Sequence, residues 1–146
     1  MFEIRTHTLT VSSQGFADIQ DLTEATESLV RQEELREGSV LLFTPGATAA
    51  LSTIEFESGA IADLKAAIER LAPEALDYAH DRRWGDGNGF SHVRAALLKP
   101  HLEVPVSGGE LLLGTWQQII VLDFDNRPRQ RRIVCQLRGL FAGEEA

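Results

Sequence analysis

The 146-residue sequence has the composition of an ordinary folded protein, with 43% hydrophobic and 25% charged residues. This length suffices for one domain with a sizeable core, without disulfides or a structural metal. The formal net charge of −8 argues against nucleic-acid binding, which needs an excess of clustered lysine and arginine. No apolar run approaches the roughly 18 residues of a membrane span. With Cys135 as its single cysteine, the chain forms no internal disulfide, and we expect a cytoplasmic protein with no membrane partner.

The N-terminal part of the chain predicts a strand followed by a helix. Residues 2–11 alternate and are rich in β-branched side chains, as strands are. From Asp21 onward the apolar positions follow helical spacing. We expect Asp18 or Asp21 to cap this first helix and Gly38 to be its C-terminal glycine.

The middle of the chain predicts one or two strands and a second helix. Residues 39–43 are continuously apolar, and residues 48–56 resume with small and β-branched side chains after a Thr-Pro-Gly break. These segments form two strands or one bent strand. Apolar residues then repeat at helical spacing over 61–71, and Pro73 ends this helix.

Three glycines in five residues mark the segment Gly-Asp-Gly-Asn-Gly-Phe-Ser-His, residues 85–92. This density predicts backbone with positive φ or a close approach to a ligand. Ser91 is the expected N-cap of a short helix that Pro100 ends. Because helix N-termini attract anions, the loop and helix together predict an anion site.

The C-terminal part predicts an antiparallel meander. A strand begins at Leu102, a turn follows at 107–109, a long strand runs through Phe124, and a final strand covers 129–140. Strands at both ends with helices between them predict an α+β fold, an antiparallel sheet with two main helices and one short helix. We expect residues 143–146 to form a loose tail.

Two histidines are the main candidates for chemistry. His80 and His92 carry imidazoles, which bind metals and change protonation near neutral pH. Glu55, Asp81 or Asp86 could supply an oxygen beside them and complete a divalent metal site. The alternative is that both histidines are hydrogen-bonded polar residues lining a loop.

Two further segments offer contacts for a ligand. Arg129 and Arg131 alternate on the last strand and form either a solvated face or a phosphate contact. Gly114 interrupts the long strand, which indicates a bulge or a close backbone approach. Gln117 lies on one of the two faces there, and only one face can line a pocket.

Six segments resemble the YjbQ family in order and spacing. They are TPGATAAL (44–51), YAHD (78–81), NGFSH (88–92), LLKP (97–100), GTWQ (114–117) and DFDNRPR (123–129). The resemblance implies an α+β homotrimer with secondary thiamine-phosphate synthase activity, which joins a pyrimidine pyrophosphate to a thiazole phosphate and expels pyrophosphate. That chemistry needs contacts to phosphorylated metabolites and a divalent metal such as zinc or magnesium.

The chain also departs from the family pattern. The family usually has His at the position of Gly46, Asn at Ile54, Asp at Ser58 and Ser at His101. Four residues match the pattern: Glu55, His80, Asn88 and His92. If the family site is a cluster of three histidines, Gly46 removes one of them. It could instead open space for a different ligand.

We therefore hold an enzyme hypothesis beside two alternatives. The catalytic residues would be His80, His92 and Glu55, and both histidines would be metal ligands. The ligand-binding residues would be Asn88, Gly89, Ser91, Gln117, Arg129 and Arg131. The first alternative is a non-catalytic binding protein for a small anion or metabolite on the same trimeric fold, and the second is a metal-dependent hydrolase.

Overall fold

The structure is a computed structural model that describes residues 1–143, so the predicted tail lies outside the described residues except for its first residue. The strands are β1 (Phe2–Ser13), β2 (Asp18–Asp21), β3 (Leu35–Phe43), β4 (Ala49–Ile54), β5 (His101–Ser107), β6 (Glu110–Leu111), β7 (Gln118–Asp123) and β8 (Arg129–Phe141). The helices are α1 (Thr23–Glu33), α2 (Ser58–Leu71), α3 (Ala79–Trp84) and α4 (Gly89–Leu98).

The strands form two antiparallel sheets. One sheet has the order β1-β8-β3-β5-β6, and the other has the order β2-β7-β4. The predicted α+β class with antiparallel sheets is confirmed. The predicted meander is wrong, because the long strand breaks after Leu111 and resumes at Gln118 in the other sheet.

Strand β7 separates the two halves of the core. Ile119 and Val121 belong to the apolar cluster that also includes residues of the five-stranded sheet and α1. Ile120 and Leu122, which alternate with them, belong to the cluster that includes residues of α2 and α4. The three-stranded sheet therefore lies between the larger sheet and these helices, with both faces of β7 buried.

Helix α1 ends earlier than its apolar pattern predicts. The chain leaves the helix at Glu34, which takes a left-handed conformation (φ 56°), and β3 begins at the next residue. Gly38 therefore lies in β3, where a Cβ would be 1.9 Å from a carbonyl oxygen of β8. Asp21, the last residue of β2, accepts a hydrogen bond from the Thr23 N–H at the helix start (2.8 Å), whereas Asp18, the first residue of β2, accepts from the Gln14 N–H (2.9 Å).

The other helices differ from the prediction at their starts. Helix α2 is capped by the Glu57 carboxylate, which accepts from two backbone N–H groups at 2.6 and 2.8 Å. Helix α4 begins at Gly89 with Asn88 as its N-cap, so Ser91 lies inside the helix. Helix α3 is additional to the predicted three. At 14 residues α2 is the longest helix of residues 1–143, and no helix there is long and apolar enough to cross a membrane.

Candidate functional site

Helices α3 and α4 bring the two candidate histidines together. His80 lies in the first turn of α3 and His92 in the first turn of α4. Their ring centroids are 4.4 Å apart and the rings are tilted by 37°. The glycine-rich segment between the helices turns the chain back, with Gly85 and Gly87 at positive φ.

Two carboxylates orient the ring of His80. Its Nδ1 lies 3.2 Å from Asp86 Oδ1 and 3.4 Å from Asp81 Oδ1. Asp81 Oδ1 also accepts from the Gly89 N–H at 2.8 Å, which fixes that carboxylate at the start of α4. An Nδ1–H that donates to these oxygens leaves Nε2 with its lone pair, ready to bind a cation or accept a proton.

In place of these hydrogen bonds, the same three side chains could hold a metal ion. One ligand atom from each of His80, Asp81 and Asp86 lies within 4.8 Å of the others. An imidazole nitrogen with two carboxylate oxygens suits a divalent cation, so the residues present fit such an ion. His92 is outside this group. The sequence suggested that both histidines would be metal ligands, whereas the structure places two carboxylates beside His80.

The predicted ligand-binding residues of the loop use their polar groups inside the protein. Asn88 Oδ1 accepts from Ser91 Oγ (2.6 Å) and from the Asn126 N–H (3.2 Å). Asn88 and Ser91 are buried, and Gly89 is packed so closely on Tyr78 that a Cβ would lie 2.6 Å from it. These residues fix the loop on the β7–β8 turn, and contact with a ligand would require some of these bonds to break.

A buried ionic network lies beside the loop. Arg131 donates from Nε and Nη2 to the two carboxylate oxygens of Asp123 (2.7 and 2.9 Å), and these bonds raise the pKa of Arg131. The Thr48 hydroxyl accepts from Arg131 Nη2 and donates to Asp125 Oδ2 (3.0 Å). Asp125 Oδ2 also accepts from Arg129 Nε at 3.1 Å.

The network corrects the default interpretation of Arg131 as a residue of a solvated face. Arg131 and its carboxylate partner Asp123 are both buried. Sequence reasoning missed Thr48, Asp123 and Asp125 as residues that hold the site. The available signal was the Asp-x-Asp spacing before the turn and the Arg-x-Arg spacing after it, since buried arginines need paired carboxylates.

A cavity of about 240 Å³ borders His92. Its wall is formed by Gly46, Ala47, Ala49, His92, Ala95, Ala96 and Pro100. His92 is the titratable side chain of this wall, and the alanines make the rest apolar. Gly46 and His92 therefore share one cavity, although they are far apart in the sequence.

The structure does not bring Glu55 and Gln117 to this cavity within the chain. In the antiparallel β4–β7 pair, Ala49 is opposite Asp123 at one end, and Glu55 and Gln117 flank the other end. The six-residue β4 separates the two ends by about 17 Å. Gln117 instead donates from its side chain to Thr53 Oγ1 at 3.2 Å.

Comparison with known proteins identifies the family. The model of the family described as UPF0047 protein YjbQ-like matches residues 7–140. The chain belongs to this family. The UPF0047 protein of Archaeoglobus fulgidus is 41% identical over 126 residues, covering 86% of this chain and 95% of that protein. The UPF0047 protein of Mycobacterium tuberculosis H37Rv is 38% identical over 116 residues, covering 80% of this chain and 84% of that protein.

Solved UPF0047-like structures share the fold. A YbjQ-like protein of unknown function from Sulfolobus solfataricus superposes with a TM-score of 0.90 at 26% identity, covering 96% of this chain and all of that one. A hypothetical protein from Aeropyrum pernix K1 superposes with a TM-score of 0.83 at 27% identity, covering 94% and 99%. The α+β fold of the chain is therefore shared with these two solved structures.

Proposed function

We propose that this protein binds phosphorylated metabolites in the cavity beside the histidine pair and has the thiamine-phosphate synthase activity that the YjbQ resemblance implies. The observation that carries the proposal is the 4.4 Å separation of the His80 and His92 rings, one of which lines the cavity. Imidazoles donate to phosphate oxygens and exchange protons near neutral pH. A reaction that expels pyrophosphate needs such groups at the leaving oxygens.

The roles of the side chains follow from their positions. In the reaction a carbon–oxygen bond to pyrophosphate breaks, pyrophosphate leaves with the electron pair, and the thiazole forms the new bond. His92, in the cavity wall, would donate to an oxygen of the leaving pyrophosphate. Asp81 and Asp86 position His80 through its Nδ1. These three residues would hold a divalent ion, which when bound neutralises charge on the leaving group.

The test is a synthase assay with purified protein, both phosphorylated substrates and added Mg²⁺ or Zn²⁺. We expect thiamine phosphate to form, and His92→Gln to lower kcat by about 100-fold, the usual contribution of a positioned acid or base. The matched control is His7→Gln, because His7 pairs with Glu33 in another part of the molecule (3.2 Å). Absence of product from the unmutated protein would overturn the synthase assignment.

A second candidate is a non-catalytic binding protein for a small anion. The observation that favours it is Gly46, because the cavity wall lacks a side chain where the YjbQ pattern usually has His. Under this hypothesis a phosphorylated metabolite raises Tm without being converted. A gain of metal affinity in Gly46→His would instead indicate an enzyme site that has lost a ligand.

We also propose that the protein is a cytoplasmic homotrimer, as the resemblance implies. The exposed apolar side chains of Phe2, Ile4 and Leu140 support an oligomer, since Phe2 and Leu140 are opposite one another on β1 and β8. Light scattering coupled to gel filtration should give three times the chain mass. A mass equal to that of one chain contradicts the trimer.

A further inference from the structure

The guanidinium of Arg131 has one nitrogen that the buried network does not use. Nε and Nη2 donate to Asp123, and Nη2 donates as well to Thr48. Among residues 1–143, Nη1 donates no hydrogen bond. Because Asp123 holds the planar group at two points, the direction of Nη1 is fixed.

Gly46 lies directly beside this nitrogen. A Cβ built on Gly46 would lie 3.3 Å from Arg131 Nη1, and no other atom outside the neighbouring residues would be within 4 Å. A side chain at this position would therefore cover Nη1. With glycine at position 46, no side chain of that residue lies between Nη1 and the cavity whose wall Gly46 helps to form.

The charges around Arg131 decide what it can contribute. Asp123 and Asp125 carry two negative charges, and Arg129 and Arg131 carry two positive ones. The network is thus balanced and exerts little long-range attraction on an anion. What remains is a rigid N–H donor directly behind Gly46, in the wall to which His92 contributes an imidazole.

We propose that Gly46 makes Arg131 a phosphate-recognition residue in this chain, with Nη1 donating to a phosphate oxygen of a ligand that also contacts His92. This inference rests on the proposed function, because it requires a phosphorylated ligand in the same cavity. It names Arg131 as the group that recognises the phosphate. It also explains the contact by the absence of a side chain at position 46. Gly46 is then a specificity-determining position.

The test is calorimetric titration with inorganic pyrophosphate of the unmutated protein and of two glycine variants. Gly46→Ala places a methyl group against Nη1, and we expect affinity to fall about tenfold, the loss of one hydrogen bond to a charged group. Gly108→Ala is the matched control. Gly108 also has positive φ (59°), but it lies in the β5–β6 turn with open space around its Cβ position. We expect its affinity to stay within about twofold of the unmutated protein.

Equal affinity in a folded Gly46→Ala, verified by circular dichroism, overturns the inference. Because positive φ strains alanine at Gly46, a second measurement uses the unmutated protein alone. Saturating pyrophosphate should shift the side-chain ¹⁵N–¹H resonances of Arg131, and unshifted resonances overturn the inference. The failures are distinguishable: pyrophosphate binding without thiamine phosphate formation overturns the synthase only, whereas no binding at all overturns both proposals.

Discussion

The two ends of the three-stranded sheet are built from the same strands but differ in the burial and the pairing of their polar side chains. At one end, here the aspartate end, Thr48, Asp123 and Asp125 are buried with the Arg131 guanidinium. At the other, the glutamine end, Glu55 and Gln117 are exposed. The cavity and the histidine pair are at the aspartate end.

The difference shows where a polar residue constrains a structure. At the aspartate end Asp123, Asp125 and Arg131 are buried away from water, so their charges must be paired, and removing one partner leaves another under-compensated. At the glutamine end water replaces any hydrogen bond that is lost. Residues that look equally polar in the sequence therefore differ strongly in what their substitution should cost.

The largest expected effect is at Asp123. Asp123→Ala removes the two hydrogen bonds that pair the buried Arg131 guanidinium with a carboxylate and leaves it only the longer 3.7 Å ion pair with Asp125, so we expect the free energy of unfolding to fall by about 3 kcal/mol. Urea unfolding followed by circular dichroism measures it. Gln117→Ala at the glutamine end should change stability by less than about 0.5 kcal/mol. Comparable losses in the two variants would remove the distinction between the ends.

A smaller effect is expected at Asn88, which links the glycine-rich loop to the aspartate end. Asn88→Ala leaves the Asn126 N–H and the Ser91 hydroxyl without their Asn88 Oδ1 acceptor, and we expect a loss of about 1.5 kcal/mol. Thermal unfolding measures it, with Thr53→Ala at the glutamine end as control. A Tm of Asn88→Ala no lower than that of the control would show that this link is dispensable.

At the glutamine end, the Glu57 cap of α2 should make the stability of the fold depend on pH. Hydrogen bonds from the Gly59 and Ala60 N–H groups lower the pKa of Glu57 below its usual value of 4.5. Its ionised form thus stabilises the fold above that value, and the stabilisation is lost as pH falls through the lowered pKa. We expect Glu57→Gln to lower Tm at pH 7 but not at pH 2.

The control for this cap is Glu55→Gln, which changes a neighbouring carboxylate. Within residues 1–143 the Glu55 side chain accepts no hydrogen bond. Its Tm should match that of the unmutated protein at pH 7. A Tm difference for Glu57→Gln that stays constant from pH 7 to pH 2 contradicts the assignment of the ionised carboxylate as the cap.

The smallest expected effect on the fold is that of a thiol introduced at an exposed position. Thiol labelling then compares the exposure of the two ends directly. Burial raises the pKa of Cys135 to about 11, so the native thiol should not react with a disulfide reagent at pH 8. A second thiol introduced by Thr53→Cys should react rapidly at the glutamine end. Labelling of Cys135 at the same rate as the new thiol would contradict its burial.

The sequence predicted local structure better than it predicted which elements meet. The first and last strands and α2 follow from alternation and helical spacing. Helix α3 escapes prediction because six residues, Ala79–Trp84, carry no periodic apolar pattern. The break between Leu111 and Gln118 also escapes prediction. Because β7 is apolar on both faces and the residues before the break are apolar too, the sequence resembles one continuous strand.

The candidate site was predictable in some of its residues and not in its geometry. Imidazole chemistry singled out His80 and His92, but their 4.4 Å separation depends on how α3 and α4 pack. The burial of Arg131 depends on its pairing with Asp123 across a turn. Neither relation is encoded in the spacing of residues along one helix or strand.

The pairing of β1 with β8 has a consequence for how the chain acquires its structure. Phe2 lies opposite Leu140, and β8 is the strand that joins β1 to β3 in the larger sheet. On the ribosome, β1 therefore has no partner strand until the residues of β8 have been synthesised. We expect the five-stranded sheet to assemble after synthesis and slowly, as contacts between distant segments do. A nascent chain halted before Arg129 should depend on chaperones to shield the open edges of β1 and β3.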